Sequence, residues 1–270
     1  MDLKKTILIL PNLLTASSLF CGVYAILICA GSDVTNIEVY NAALLIFYAF
    51  LFDLFDGRVA RMTKTQSAFG VEFDSLADLI SFGIAPAVIA YRWSLEDAGF
   101  LGIVVSFLYV LGGAARLGRF NVAAHSALKK KNPGKYMMGL PIPVAAAFIV
   151  AFVVAARAMK DGAWPWLTSQ GYSINGIAYP MISLFMVFLA FFMVSTIKFR
   201  SFKDFKMKNL FSIFTLATVL LVSVIMWIWF SPAYILIGLL MLYVTFGMIE
   251  TVISIIVSLK RDKNSRPSGV

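Results

Sequence analysis

The chain is poor in the residues from which many soluble enzymes build their sites. Its 270 residues include one histidine, His125, and two cysteines, Cys21 and Cys29. No Cys/His zinc centre can be assembled from that inventory. A Ser-His-Asp triad would have to use His125, which the pattern places in a loop. Both cysteines fall in a single apolar run, at a separation that a disulfide within one helix cannot bridge, so they read as small apolar fillers. Charge is scarce too. Asp, Glu, Lys and Arg make up 14% of the residues, against about 25% in ordinary soluble domains. There is no internal repeat, no low-complexity segment, and no stretch between the apolar runs that would fold as a soluble domain.

Apolar residues fill the gap. They reach 60% of the chain, where soluble domains hold about 45–50%, and this predicts a membrane protein. A spanning helix needs about 20 mostly apolar residues. Eight runs qualify, roughly Leu13–Ala30, Val39–Arg58, Gly70–Tyr91, Gly99–Ala115, Met138–Ala156, Tyr179–Ile197, Leu210–Phe230 and Pro232–Leu259. The expected fold is an all-α polytopic bundle of about eight transmembrane helices. The first run lacks a small-residue cleavage site and reads as a helix rather than a signal peptide. With the N-terminus in the cytoplasm, twenty of the 23 Lys and Arg residues fall on cytoplasmic segments. Only Arg92, Arg157 and Lys160 face the other side. This positive-inside bias puts both termini in the cytoplasm. It also accounts for the net charge of +9 without a nucleic-acid partner. The run Lys129-Lys130-Lys131 reads as a topology signal that adheres to anionic headgroups.

Against this background the acidic residues stand out. Asp53, Asp56, Glu72, Asp74 and Asp78 lie within or at the edge of the second and third runs. An ionised group at the bilayer centre costs at least about 2.5–3.5 kcal/mol and persists where it pairs, lines a wet cavity or serves function. A salt bridge to Arg58 or Arg61, or a helix ending early, would account for one aspartate but not for the pattern. Asp53, Asp56, Gly57, Ala60 and Arg61 follow the spacing of one helix face, as do Gly70, Asp74 and Asp78. The two helices are joined by a short loop, so the four carboxylates meet near one surface. Like charges that converge in low dielectric repel one another, and divalent cations relieve the repulsion. All-oxygen ligands suit Mg²⁺ or Mn²⁺, with Ca²⁺ a possible non-native occupant. Two such ions would suit phosphoryl-type transfer. Gly57, Ala60 and Gly70 leave room beside the carboxylates, either for close helix packing or for a planar or phosphorylated group. Arg61 is placed to meet a phosphate.

Together these residues read D53-x2-D56-G57-x2-A60-R61-x8-G70-x3-D74-x3-D78. The pattern resembles the signature of the CDP-alcohol phosphotransferase family at every position and spacing. The resemblance implies a membrane enzyme in which an alcohol displaces CMP from a CDP-linked donor. It implies that Asp53, Asp56 and Asp74 ligate metal, that Asp78 shares a metal and acts as general base, and that Gly57, Ala60, Arg61 and Gly70 cradle the cytidine and pyrophosphate. It also implies a homodimer in the cytoplasmic membrane with its active site open to the cytoplasm. Its core covers about residues 1–200, which leaves 201–270 as a two-helix extension with a basic tail.

Further segments, Pro11–Thr15, Ser81–Pro86, Ala115–Asn121 and Gly139–Pro143, resemble the branch whose donor is CDP-diacylglycerol and whose acceptor is L-serine. Ser18 departs from that branch, which often has Asn there. Glycerol 3-phosphate or inositol phosphate as acceptor, or a divalent-cation transporter, are the competing functions. The transporter lacks the repeat symmetry expected of it. Arg116 and Arg119 carry two readings: interfacial snorkelling, or binding of the lipid phosphate or the serine carboxylate. Ser81 either helps select the acceptor or bonds its own helix carbonyl. Asn12 and Thr15 either contact the nucleotide or open the first helix, with Thr15 bonding backbone.

Overall fold

The computed structural model describes residues 3–63, 67–128, 136–158 and 174–200, together with Gly238, Met241 and Val244. Apart from those three residues, the seventh and eighth predicted helices, and Lys129-Lys130-Lys131, lie outside the described residues. Within them the chain is almost wholly helical. The elements are α1 (Leu3–Cys29), α2 (Asn36–Thr63), α3 (Ala68–Ala98), α4 (Phe100–Leu128), α5 (Ile142–Ala158) and α6 (Ile174–Val194). Two three-residue strands, β1 (Tyr136–Met138) and β2 (Lys198–Arg200), pair antiparallel with Met137 opposite Phe199. The segments Leu10–Cys29, Asn36–Ala60, Ala68–Ala98 and Phe100–Val122 are long and apolar enough to cross a membrane, and the chain is a membrane protein. Parts of α5 and α6, Ile142–Arg157 and Met181–Val194, form shorter apolar helices.

α3 is the axis of the bundle, touching each of the other five helices. Small residues let its neighbours come close, as membrane helix packing favours. A Cβ on Gly22 of α1 would fall 2.7 Å from Ser81 Cα of α3, so only glycine permits that crossing. Gly112 of α4 is close to the Ala190 backbone of α6, where a Cβ would fall 3.0 Å from the carbonyl oxygen. Ala25, Ala42, Ala43 and Ala49 fill the α1–α2 region of the core. Large apolar side chains such as Leu13, Phe20, Phe107, Leu184 and Phe191 point outward, as expected of a surface solvated by lipid. Cys21 and Cys29 are free and buried, in keeping with the reading as fillers.

α3 is not a regular helix. It is α-helical over Ala68–Asp78, widens to a π-helical turn over Leu79–Ile84, and returns to α over Ala85–Ala90. Such turns often mark functional sites. Here the wide turn begins directly after Asp78. The Phe82 carbonyl within it accepts a hydrogen bond from the fully buried Tyr109 hydroxyl at 3.0 Å. This contact supplies the phenol with the partner a buried tyrosine needs.

Several helix boundaries differ from the sequence expectation. α4 was expected to end at Ala115 and runs to Leu128, so His125 falls on a helix and not in a loop. Hydropathy drops at Arg116, but Arg116, Arg119 and Asn121 each find a partner in the bundle, and the helix continues. The helix expected from Met138 begins at Ile142. Tyr136–Met138 form β1 instead, and Gly139 turns the chain at φ +79°. α3 starts at Ala68, where Ser67 caps it by accepting from the Gly70 amide at 2.9 Å.

Candidate active site

The α2 C-terminus and the α3 N-terminus lie at the same end of the bundle, and the aspartates converge there. Asp53 and Asp56 on α2 and Asp74 on α3 each offer a carboxylate oxygen, and these atoms all lie within 4.8 Å of one another. The spacing fits a hard divalent cation. Two oxygens held at about 2.1 Å from one Mg²⁺ would sit roughly 3–4.2 Å apart, and for Ca²⁺ at about 2.5 Å up to about 5 Å. The donor set is all oxygen, as such ions require. Asp56 is buried at 5% exposure, deep enough to need a partner within the protein or a bound cation. Asp78, one turn further along α3, is within electrostatic reach of Asp53, Asp74, Arg116 and Asp56. The structure thus brings together Asp53, Asp56 and Asp74, three of the four aspartates on the facing stripes.

α1 supplies a third wall. Thr15 Oγ1 lies 2.7 Å from Asp56 Oδ2 and 3.1 Å from the Pro11 carbonyl. Its one proton can go to the carboxylate, which fixes the orientation of Asp56, or back to its own helix. Asn12 lies one turn earlier, with Oδ1 only 3.3 Å from where a Cβ on Gly70 would be. Asn12 and Gly70 thus face each other across the α1–α3 gap. Gly57 and Ala60 continue the α2 stripe, both half-buried. Arg61 is on α2, but its side chain lies outside the described residues.

The remaining expected site residues separate. Ser81 is fully buried and donates to the Ser18 carbonyl of α1 at 3.0 Å. It bonds a neighbouring helix, neither its own nor open space. Arg116 is buried at 5% exposure, with its guanidinium 5.7 Å from the Phe120 ring centre and its charge within electrostatic reach of Asp78. Arg119 instead donates to the carbonyls of Val194 at 2.7 Å, Ser195 at 3.0 Å and Met193 at 3.3 Å. It caps the C-terminus of α6, where a cation meets unpaired carbonyls and the negative end of the helix dipole. Gly139 leaves room for it, since a Cβ there would come within 2.9 Å of Arg119 Nη2.

Three residues near the site had no assigned role in the sequence reading: Gly22, Tyr109 and Asn121. Asn121 stood in a matching segment, and its amide bridges Glu72 and Ser75 of α3. Tyr109 had a legible signal, because a tyrosine deep in an apolar run demands a hydrogen-bond partner. Gly22 had none beyond being small.

These features define an α-helical membrane protein with an all-carboxylate site suited to a divalent cation. The family profile described as CDP-alcohol phosphatidyltransferase matches residues 8–194, and the chain belongs to that family. It is accordingly an enzyme of the phosphotransferase type. It is 37% identical over 185 residues to the CDP-diacylglycerol–serine O-phosphatidyltransferase of Helicobacter pylori, covering 68% of this chain and 69% of that protein. The Saccharomyces cerevisiae enzyme of the same name is 40% identical over 142 residues, 51% of each chain. The archaetidylserine synthase of Methanothermobacter thermautotrophicus is 36% identical over 176 residues, 64% of this chain and 70% of that one.

Proposed function

We propose that this chain transfers the phosphatidyl group of CDP-diacylglycerol to L-serine, giving phosphatidylserine and CMP, at a site open to the cytoplasm. The observation that carries the reading is the convergence of Asp53, Asp56 and Asp74 in a chain whose relatives are named for this reaction.

In this reading Asp53, Asp56 and Asp74 hold Mg²⁺ or Mn²⁺, with Asp78 as a shared ligand. When bound, the metal neutralises the pyrophosphate charge and stabilises CMP as a leaving group. Asp78 accepts the proton of the serine hydroxyl, a weak nucleophile until a positioned base relieves it. The hydroxyl oxygen forms its bond to the β-phosphorus as the anhydride bond to CMP breaks. Arg116, buried and within electrostatic reach of Asp78, binds the donor phosphate. It is the stronger candidate of the two arginines, because Arg119 gives its donors to the end of α6. Gly57, Ala60, Gly70 and Asn12 shape the nucleotide slot, with Arg61 on its phosphate side. Thr15 steadies Asp56, and Ser81 keeps the α1–α3 wall closed behind the acceptor. Residues 1–200 form the catalytic core and 201–270 an extension. The positive-inside pattern supports both termini in the cytoplasm. Family resemblance supports a homodimer, which crosslinking in native membranes would test.

The test is CMP release by purified protein supplied with CDP-diacylglycerol, Mn²⁺ or Mg²⁺, and one acceptor at a time. Release with L-serine, and not with glycerol 3-phosphate or inositol phosphate, is expected. Release only with another acceptor would overturn serine and keep the chemistry. Silence with every acceptor would overturn the reading.

A further inference from the structure

The seam between α3 and α4 is held by hydrogen bonds at two heights. Deep in the bundle Tyr109 Oη donates to the Phe82 carbonyl at 3.0 Å. Near the site end Asn121 Nδ2 donates to Glu72 Oε2 at 3.2 Å, and Ser75 Oγ lies 3.1 Å from Asn121 Oδ1. Ser75 Oγ is also 3.1 Å from the Val71 carbonyl, so its one proton is shared and the bond to Glu72 is the firmer half. An amide suits this place because it donates and accepts at once, whereas a carboxylate only accepts.

Asp78 lies between Ser75 and Phe82 in sequence, and Arg116 between Tyr109 and Asn121. At 1.5 Å per residue, Phe82 and Glu72 are at most about 15 Å apart along α3, whose wide turn shortens the span, and Tyr109 and Asn121 about 18 Å apart along α4. The two spans nearly match, and the helices are antiparallel. Arg116 and Asp78 therefore fall within the pinned interval. A slip of one turn would shift Arg116 by about 5.4 Å and leave a buried guanidinium against apolar side chains. Hydrophobic attraction does not hold two helices in register in lipid; packing and hydrogen bonds do.

We infer that Asn121, with Tyr109 as the deeper pin, is a positioning residue that fixes Arg116 opposite Asp78. The inference rests on Asp78 as the base and Arg116 as the phosphate ligand. It does not depend on which alcohol is the acceptor. Asn121 acts through the seam and touches no substrate.

The decisive variant is Asn121→Asp, which keeps the size but sets a second carboxylate against Glu72. Measured with whichever acceptor the wild-type protein uses, and at a temperature where the variant is folded, kcat should fall about 10–100-fold, the scale of a misplacement near 1 Å. The KM for CDP-diacylglycerol should rise several-fold with it, because a displaced Arg116 loses part of its hold on the donor phosphate. Adding Glu72→Gln to that variant restores a donor–acceptor pair with its polarity reversed, and should recover most of kcat. Wild-type kcat in Asn121→Asp would overturn the inference. So would a loss that follows the folded fraction alone, or a double variant that regains thermal stability without regaining kcat. If Asn121→Asp does not fold, Tyr109→Phe removes the deeper pin and keeps the ring. A several-fold loss of kcat with a raised donor KM supports the inference, and an unchanged kcat overturns it. A wild-type protein silent with every acceptor would instead sink the proposed function, an outcome separate from these.

Discussion

The two ends of the bundle treat charge in opposite ways. At the end away from the aspartates, Arg92 of α3 donates to the Cys29 carbonyl at 2.8 Å, to the Gly31 carbonyl, and to both oxygens of Glu96 at 2.7 and 2.9 Å. Arg157 of α5 lies over the Tyr40 ring at 5.4 Å. There a guanidinium closes the C-terminus of α1 and meets a carboxylate one turn along its own helix. At the site end Asp78 lies within electrostatic reach of three further aspartates and one arginine. Among the described residues, one end is closed by a guanidinium paired within the fold, while at the other three carboxylates converge in a cluster that could hold a cation. The difference separates cations that hold the fold from cations that serve chemistry.

The largest expected effect comes from breaking the site end. Asp78→Asn should lower kcat by about 10²–10⁴-fold, the range of a lost general base, while binding of a CDP nucleotide is retained. Full activity would remove Asp78 as the base. Next is Thr15→Val, which takes the hydroxyl from Asp56. Mn²⁺ affinity, read from the metal dependence of the melting temperature, should weaken by about 10–100-fold, as when the supporting partner of a ligand is lost. An unchanged affinity would leave Thr15 bonded to Pro11 alone. At the far end, Arg92→Ala should destabilise the protein by roughly 1.5–3 kcal/mol, the scale of a hydrogen bond from a charged group. Its kcat per folded molecule should stay as in wild type. A fall in kcat at full folding would mean that the two ends are coupled. The smallest effect separates the arginines of α4. Arg119→Ala should lower the melting temperature with the donor KM unchanged, whereas Arg116→Ala should raise that KM.

Much of the site was legible in the sequence because its signal is costly. Carboxylates inside apolar runs demand a reason, and their helical spacing already assigned them to facing stripes. α1 and α2 were likewise recognisable from length and hydropathy. The extent of α4 was not, because hydropathy sees Arg116, Arg119 and Asn121 only as polar. It cannot see that Phe120, the end of α6 and Glu72 stand ready to receive them. Arg119 and Arg116 looked equivalent for the same reason. Their spacing put both near the site, and only the position of α6 assigns one of them to carbonyls. The wide turn after Asp78 left no mark, since Leu79–Ile84 reads as ordinary helix. The short β1–β2 pair left no signal: β1 overlaps the expected fifth helix only at Met138, and β2 lies just past the expected sixth.

The cap on α6 also has a history in time. Arg119 precedes its carbonyl partners by 74–76 residues, and β1 has no partner until β2 exists. At about 5–20 residues per second, the ribosome adds that stretch in roughly 4–15 s. Throughout that interval the carboxylates and Arg116 have already been made, while Arg119 still lacks its acceptors. A cell that stalls translation there would hold a chain carrying every aspartate of the site in a bundle whose clasp has yet to be synthesised.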